Sequence, residues 1–95
     1  MSAYMIVNIE VHDPSAYEEY KSKVPAVIRK HGGEYLVRGG PCHVLEGNWR
    51  PSRLVIFRFP DLESVLNLQQ DPEYLPLKAL RQSVAYTEAV GVEGI

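Results

Sequence analysis

The stretch from His31 to Gly47 constrains the fold more than any other part of the chain. It opens with glycines typical of a helix end, continues as strand-forming residues, breaks at Gly39-Gly40-Pro41, and then resumes strand-forming character up to Gly47. A straight strand from Glu34 to Gly47 would span about 46 Å, whereas a compact domain of this length has a diameter of about 32 Å. We therefore expect the strand to bend at the glycine pair or to overhang the domain, with Pro41 at an edge or a bulge.

Hydrophobic periodicity on either side of this stretch predicts alternating strands and helices. Residues Tyr4–Val11 have the pattern of a strand, and Asp13-Pro14 begins a helix that Gly32 ends in the left-handed conformation. Pro25 cannot donate a hydrogen bond to the carbonyl of Lys21, so we expect a kink or a split in this helix. The remaining predicted elements are a strand from Arg53 to Phe59, helical segments that begin at Asp61 and at Asp71-Pro72, and a last strand from Ala85 to Val92.

This βαββαβ order is typical of the ferredoxin-like α+β fold, in which two helices cover one face of a four-stranded antiparallel sheet. The other face would carry Tyr4, Ile6, Leu54 and Ile56, which are too apolar to leave in water. A chain of 95 residues forms one domain, residues 1–95, and has no second sheet to cover this face. We therefore predict a homodimer with the sheets face to face, in which residues 42–47 reach across to the partner subunit.

Composition argues against several classes of function. The net charge of −2, with dispersed basic residues, disfavours a nucleic-acid or anionic-membrane surface. The apolar runs are far shorter than the ~20 residues that cross a bilayer. The first residues lack the basic flank and apolar core of a signal peptide, and the lone Cys42 suits a reducing compartment, so we expect a cytoplasmic protein. Because the chain has no phosphate-binding loop, dinucleotide fingerprint or zinc spacing, we predict no metal and no cofactor.

Several residues in and around the opening stretch form a recognisable set: His31-Gly32-Gly33, Leu36-Val37-Arg38-Gly39-Gly40, Leu45-Glu46-Gly47, Trp49, Arg53, Phe59, Pro72-Glu73-Tyr74 and Arg81. With these residues the chain resembles the DUF1330 family of small bacterial proteins over almost its whole length. That family is similar in fold to the dimeric α+β barrel group, which includes cofactor-free monooxygenases, lactone isomerases and haem-binding proteins. The resemblance implies this fold and dimerisation, and it implies no particular reaction.

Three side chains are candidates for catalysis. Arg38 and Glu46 lie on the two halves of the broken strand, and Arg53 begins the next strand. Arginines beside a carboxylate can hold an anionic substrate and move a proton; alternatively, they form a structural ion pair that fixes the bend. His31 directly precedes the glycines that end the first helix, where it is either a C-terminal cap or a general base or metal ligand.

Four more side chains are candidates for substrate binding: Arg53, Arg58, Trp49 and Tyr74. Arg58 shares the semi-polar sheet face, Trp49 lies on a loop as a lid, a dimer contact or an exposed hydrophobe, and Tyr74 has core spacing in the last helical segment. Cys42 and His43 are adjacent in sequence, and adjacent strand residues point to opposite faces, so we do not expect a nucleophile–base pair.

Two hypotheses about function follow from the sequence. The first is a cofactor-free enzyme that acts on a small anionic or aromatic metabolite in a pocket between the sheet and the helices, with Arg38, Glu46 and His31 in its site. The second is a non-catalytic ligand-binding or structural dimer, in which the same residues only hold the bend of the strand.

Overall fold

The computed structural model describes residues 1–95, with one four-stranded sheet and three helices. The strand order is β2-β3-β1-β4, and every neighbouring pair is antiparallel. The predicted ferredoxin-like α+β fold is therefore confirmed. The elements are β1 (Ala3–Val11), α1 (Pro14–Lys30), β2 (Glu34–Arg38), β3 (Leu54–Phe59), α2 (Leu62–Leu68), α3 (Tyr74–Val84) and β4 (Ala85–Glu93).

The hydrophobic core lies between the helices and one face of the sheet. Alternate strand residues such as Met5, Val7 and Phe57 are buried there, because successive side chains of a strand point to opposite faces. Side chains from all three helices pack onto them, including Ile28, Leu68 and Tyr74. The molecule is only 17 Å thick along its shortest axis, which fits one layer of helices on one layer of sheet.

The opposite face of the sheet is covered by no helix. We call it the open sheet face and define it by Tyr4, Ile6, Leu54, Ile56, Tyr86, Val90 and Val92, which the strand register places on the same side. The first four are half-buried among their neighbours, while the three β4 side chains are 48–60% exposed. The register also places Asn8, Glu10, Arg58 and Glu88 on this side, so the apolar side chains form part of the face, and that part favours burial against another surface.

The predicted second half of the broken strand is not a strand. The chain bends at Gly39, whose φ of 73° is in the left-handed region that favours glycine. The Gly39 N–H donates to the carbonyl of Leu54, and residues 40–52 then run as an irregular segment, which we call the arm. A strand needs a neighbour to hydrogen-bond with, and β3 begins only at Leu54, so no strand of the same subunit lies beside residues 42–47.

The first helix is not split at Pro25. Helix α1 is one continuous helix of 17 residues that includes this proline. Pro25 leaves the carbonyl of Lys21 without its helical partner, and Arg38 Nη2 lies 3.5 Å from that oxygen as a donor. Gly32 ends the helix as predicted, with a φ of 79°. None of the three helices combines the length and the apolar character that crossing a membrane requires.

Candidate functional site

The structure brings two of the predicted site residues, Arg38 and Arg53, together where β2 and β3 meet α1. Both line a recess of about 20 Å³ with Tyr20 and Tyr35. The guanidinium carbon of Arg38 lies 4.6 Å from the centroid of the Tyr35 ring, and Nε of Arg53 is buried without a hydrogen-bond partner. This volume accommodates a water molecule and is too small for a metabolite.

The other predicted residues of the strand and loop are dispersed. Glu46 is exposed in the arm, and no ion pair joins it to Arg38 or Arg53, because the arm carries it into solvent. The predicted arginine–carboxylate group is therefore not formed within the subunit. Arg58 is paired with Glu34 across the strand ladder. Nowhere do three or more histidine, cysteine or acidic side chains converge in the way that a metal ion needs.

Trp49 is exposed and lies at the edge of the open sheet face. It lines a shallow cavity of about 400 Å³ with Ile6, Asn8, Glu88 and Val90. The Asn8 side-chain oxygen accepts hydrogen bonds from the backbone N–H groups at the end of the arm, at 2.9 Å from Ser52 and 3.4 Å from Arg53. Asn8 therefore anchors the end of the arm beside β1.

His31 connects α1 to the start of α3. It occupies the C-cap position of α1, and its Nε2 lies 2.6 Å from Oδ2 of Asp71. The same carboxylate oxygen lies 3.0 Å from Nζ of Lys30, and Oδ1 accepts a 2.7 Å hydrogen bond from the Glu73 N–H. Asp71 is almost fully buried, and the hydrogen bonds from His31, the Glu73 backbone and Lys30 hold the pKa of its carboxyl well below its ordinary value. This cluster clamps two helices together, and His31 lines no cavity.

We expect Asp71 to control how stability changes with acid. A carboxyl whose pKa is lowered by folding stabilises the folded protein fully when the pH is above its unfolded pKa of about 3.9. This stabilisation is lost as the pH falls below that value toward the folded pKa. Asp71→Asn should therefore lower the melting temperature at neutral pH and make it less dependent on pH between about 5 and 3. Thermal unfolding followed by circular dichroism measures both effects.

The control for this experiment is Glu93→Gln, which removes an exposed carboxylate that forms no ion pair. It should retain the acid dependence of the wild type. If Asp71→Asn instead loses stability with acid as steeply as the wild type does, the clamp is not the source of that dependence.

Arg81 is the most unusual charged residue of the fold, and the sequence interpretation gave it no role. It is only 6% exposed, and no carboxylate lies within 4.0 Å of it. Its Nη1 donates to the hydroxyl of Tyr74 at 2.8 Å and to that of Tyr20 at 3.3 Å, whereas Nε is buried without a partner. Burial, together with the neighbouring Tyr74, raises the pKa of Tyr20 well above its ordinary value, so its phenol stays protonated and cannot neutralise the arginine.

The sequence does carry a signal for the burial of Arg81. It lies seven residues after Tyr74 and three before Val84, and both of these are buried on the inner face of α3. Helical spacing alone therefore places this arginine among core positions. A charged residue at such a position is almost never fully buried unless it is paired.

Arg81 lines a cavity between α3 and the strands β1 and β4. Its volume is about 240 Å³, and Tyr74, Lys78, Gln82 and Thr87 also contribute to its wall. No acidic side chain lines it. This end of the space between helices and sheet is therefore polar and positively charged.

A second cavity, of about 300 Å³, adjoins the first. Its own wall is mainly apolar, and the two cavities share Met5, Gln69 and Ala89. We call the combined space the helix–β4 cleft. The residues that line only the second part are Leu62, Val65, Leu66, Val90 and Gly91. The cleft thus joins a cationic end to an apolar end, and of the predicted site residues it contains only Tyr74.

The sequence matches the family described as "Domain of unknown function (DUF1330)" over residues 2–95. No curated protein matches it. A solved protein of unknown function from Rhodopseudomonas palustris is 17% identical, with a TM-score of 0.78 over 99% of this chain and 82% of that one.

Two further solved structures are similar in fold. A variant of SnoaB, described as a cofactor-independent oxygenase from Streptomyces nogalater, is 15% identical, with a TM-score of 0.70 over 98% of this chain and 92% of that one. A protein of unknown function from Jannaschia sp., described as dimeric and ferredoxin-like, is 12% identical, with a TM-score of 0.70 over 99% of this chain and 100% of that one. At these identities the similarity shows the fold alone.

Proposed function

The chain belongs to the DUF1330 family, and we propose that it is a homodimer that binds a small anionic or aromatic metabolite in the helix–β4 cleft of each subunit. The observation that carries this proposal is Arg81, a buried cation without a carboxylate partner at the wall of a cavity. A buried charge is costly unless it is paired, and an anionic ligand supplies the missing partner. The two adjoining parts of the cleft, about 240 and 300 Å³, together reach the size of small-molecule sites.

Dimerisation through the open sheet face is supported by the apolar side chains that line it. Val90 and Tyr86 are 60% and 57% exposed there, and no other part of the subunit covers them. The similar protein from Jannaschia is described as dimeric. In such a dimer the arm, which finds no partner strand within its own subunit, lies next to the second sheet. On β4 the cleft is lined mainly by Thr87, Ala89 and Gly91, which alternate along the strand with the residues of the open sheet face, and Val90 lies at its edge, so the site remains accessible in this dimer.

The second candidate function is a cofactor-free enzyme that uses the same cleft. It is favoured by Tyr74, whose hydroxyl accepts a hydrogen bond from Arg81 and so keeps its own proton for donation to a bound oxygen atom. Arg81 would then stabilise negative charge that develops on that oxygen. SnoaB, with a similar fold, is described as a cofactor-independent oxygenase. His31 and Glu46 lie outside the cleft and have no part in this scheme.

A ligand screen with a cleft-filling variant tests the binding function. A panel of aromatic and anionic metabolites should contain compounds that raise the melting temperature of the wild type by several degrees, because ligand at about 100 times Kd stabilises by about 2.7 kcal/mol. Ala89 lines both cavities and is exposed, so Ala89→Leu should fill their junction without disturbing the core. This variant should weaken ligand binding at least about tenfold, because the leucine side chain occupies space that the ligand needs.

The matched control is Ala79→Leu, the same change at an exposed position of α3 that lines no cavity. It should respond to ligands as the wild type does. The proposal fails if no compound stabilises the wild type, or if Ala89→Leu and Ala79→Leu respond alike. Incubation of a stabilising compound with the protein in air, followed by mass spectrometry, distinguishes the enzyme from the binding protein by the appearance of a product.

A further inference from the structure

The guanidinium of Arg81 has one occupied side and one free side. Both hydrogen bonds that it makes leave from Nη1, toward Tyr74 and Tyr20. No hydrogen bond or ion pair involves Nη2, and Nε is buried without a partner. The free side is the Nε–Nη2 edge, where two N–H groups point in parallel within the guanidinium plane.

From this edge we infer that the ligand of the helix–β4 cleft is a carboxylic acid with an apolar body. This inference rests on the proposed function and specifies its ligand. A planar carboxylate accepts two parallel N–H bonds from one guanidinium edge, and this bidentate contact is among the strongest charge-assisted hydrogen bonds in proteins. One carboxylate also neutralises the charge of one guanidinium, so the buried arginine would no longer be an unpaired charge.

The remainder of the cleft determines the shape of the acid. Lys78, Gln82 and Thr87 surround the charged end, whereas Leu62, Val65 and Gly91 line the other end. Gly91 has no side chain, and an added Cβ would lie 3.1 Å from Cγ1 of Val65, so the space between β4 and α2 is narrow at this point. The apolar end therefore accepts a flat or narrow hydrophobic group beside β4. Acetate would leave this end empty, and a dicarboxylate would place a second charge in it.

Tyr74 and Tyr20 fix the direction of the bound carboxylate. By accepting from Nη1, their hydroxyls hold the guanidinium in one orientation. Tyr74 is 2% exposed and also lines the cavity, so its proton is available to the same ligand. The arginine is thus oriented before the ligand arrives, which reduces the entropic cost of binding.

Matched acids and amides test this inference. The probes are benzoate, phenylacetate, hydrocinnamate and indole-3-acetate, each with its primary amide, together with acetate and phenyl phosphate. Isothermal titration calorimetry on the wild-type protein should show at least one of the aryl acids binding tenfold or more tightly than its amide and than acetate. A separate titration of the ¹⁵N-labelled protein should be followed by NMR. The Nε–H resonance of Arg81 should shift with that acid and should not shift with its amide.

Arg81→Lys provides a second test, because it retains the positive charge and removes the paired donors. It should reduce the acid-to-amide preference at least fivefold, while Arg50→Lys, at an exposed position of the arm, should leave it unchanged. If Arg81→Lys does not fold, the Nε–H resonance of the wild type still decides the question.

The outcomes separate the two proposals. Amides that bind in the cleft as tightly as the acids overturn the carboxylate assignment and leave the proposed function intact. Tighter binding of phenyl phosphate than of every acid overturns the assignment in favour of a phosphoryl ligand. If no probe binds and the wider metabolite panel also gives no stabilisation that depends on Ala89, both proposals fail.

Discussion

Replacing Ile56 by aspartate should convert the proposed dimer into monomers. Ile56 pairs with Ile6 on β1 and with Val37 on β2, so it lies in the middle of the open sheet face. The loss of apolar contact and the burial of a carboxylate cost at least about 1.5 kcal/mol per subunit. A symmetric dimer carries the substitution in both subunits, so the binding free energy falls by about 3 kcal/mol. This loss weakens association by more than about 100-fold.

Sedimentation velocity at low micromolar concentration measures this effect. Leu75→Asp introduces the same charge at an exposed apolar position of α3, on the helical side of the molecule, and should leave the dimer intact. A wild-type protein that sediments as a monomer would refute the dimer. Equal association of the wild type and Ile56→Asp would show that the subunits meet through some other surface.

Replacing Gly39 by valine should destabilise the fold by about 2 to 4 kcal/mol. The φ of 73° at Gly39 is unfavourable for any residue with a Cβ and most unfavourable for a β-branched one. An added Cβ would also overlap the guanidinium of Arg53, which packs against this glycine. The bend that sends the arm away from β3 would be opposed, so we expect the dimer to weaken as well. Urea unfolding at a fixed protein concentration measures the first effect, and sedimentation measures the second.

Gly40→Val is the matched control. The φ of Gly40 is not positive, and nothing lies within 4 Å of a Cβ added there. The free energy of unfolding of this variant should therefore stay within about 0.5 kcal/mol of the wild type. If both variants lose similar stability, the cause is the larger side chain at this point of the arm. The left-handed conformation of Gly39 would then not explain the destabilisation.

The fold was predictable because its signals are local. Asp13 and Asp61 cap their helices by accepting from Ala16 and Ser64, three residues further along the chain. Gly32 ends α1 through its own backbone conformation. The alternation of β1 places Met5 and Val7 under the helices and Ile6 on the other face. None of these features requires knowledge of a distant residue.

The site was less predictable because its contacts join distant parts of the chain. His31 meets Asp71, 40 residues away, and Arg81 meets Tyr20, 61 residues away. The exposure of Glu46 was not predicted, because it depends on the arm having no neighbouring strand within the subunit. The burial of Arg81 was visible in helical spacing, whereas its lack of a carboxylate partner depends on packing of the whole domain.

Helix α3 passes into β4 with no residue between them, since Val84 ends one element and Ala85 begins the other. The Val84 carbonyl accepts from the N–H groups of His12 and Asp13, at 2.8 and 3.1 Å, so this junction is fixed to the end of β1. One inserted residue would turn Arg81 by about 100° relative to the sheet, or else would exchange the two faces of β4. A single insertion or deletion at the junction of Val84 and Ala85 should therefore disrupt the proposed ligand site and the proposed subunit interface together.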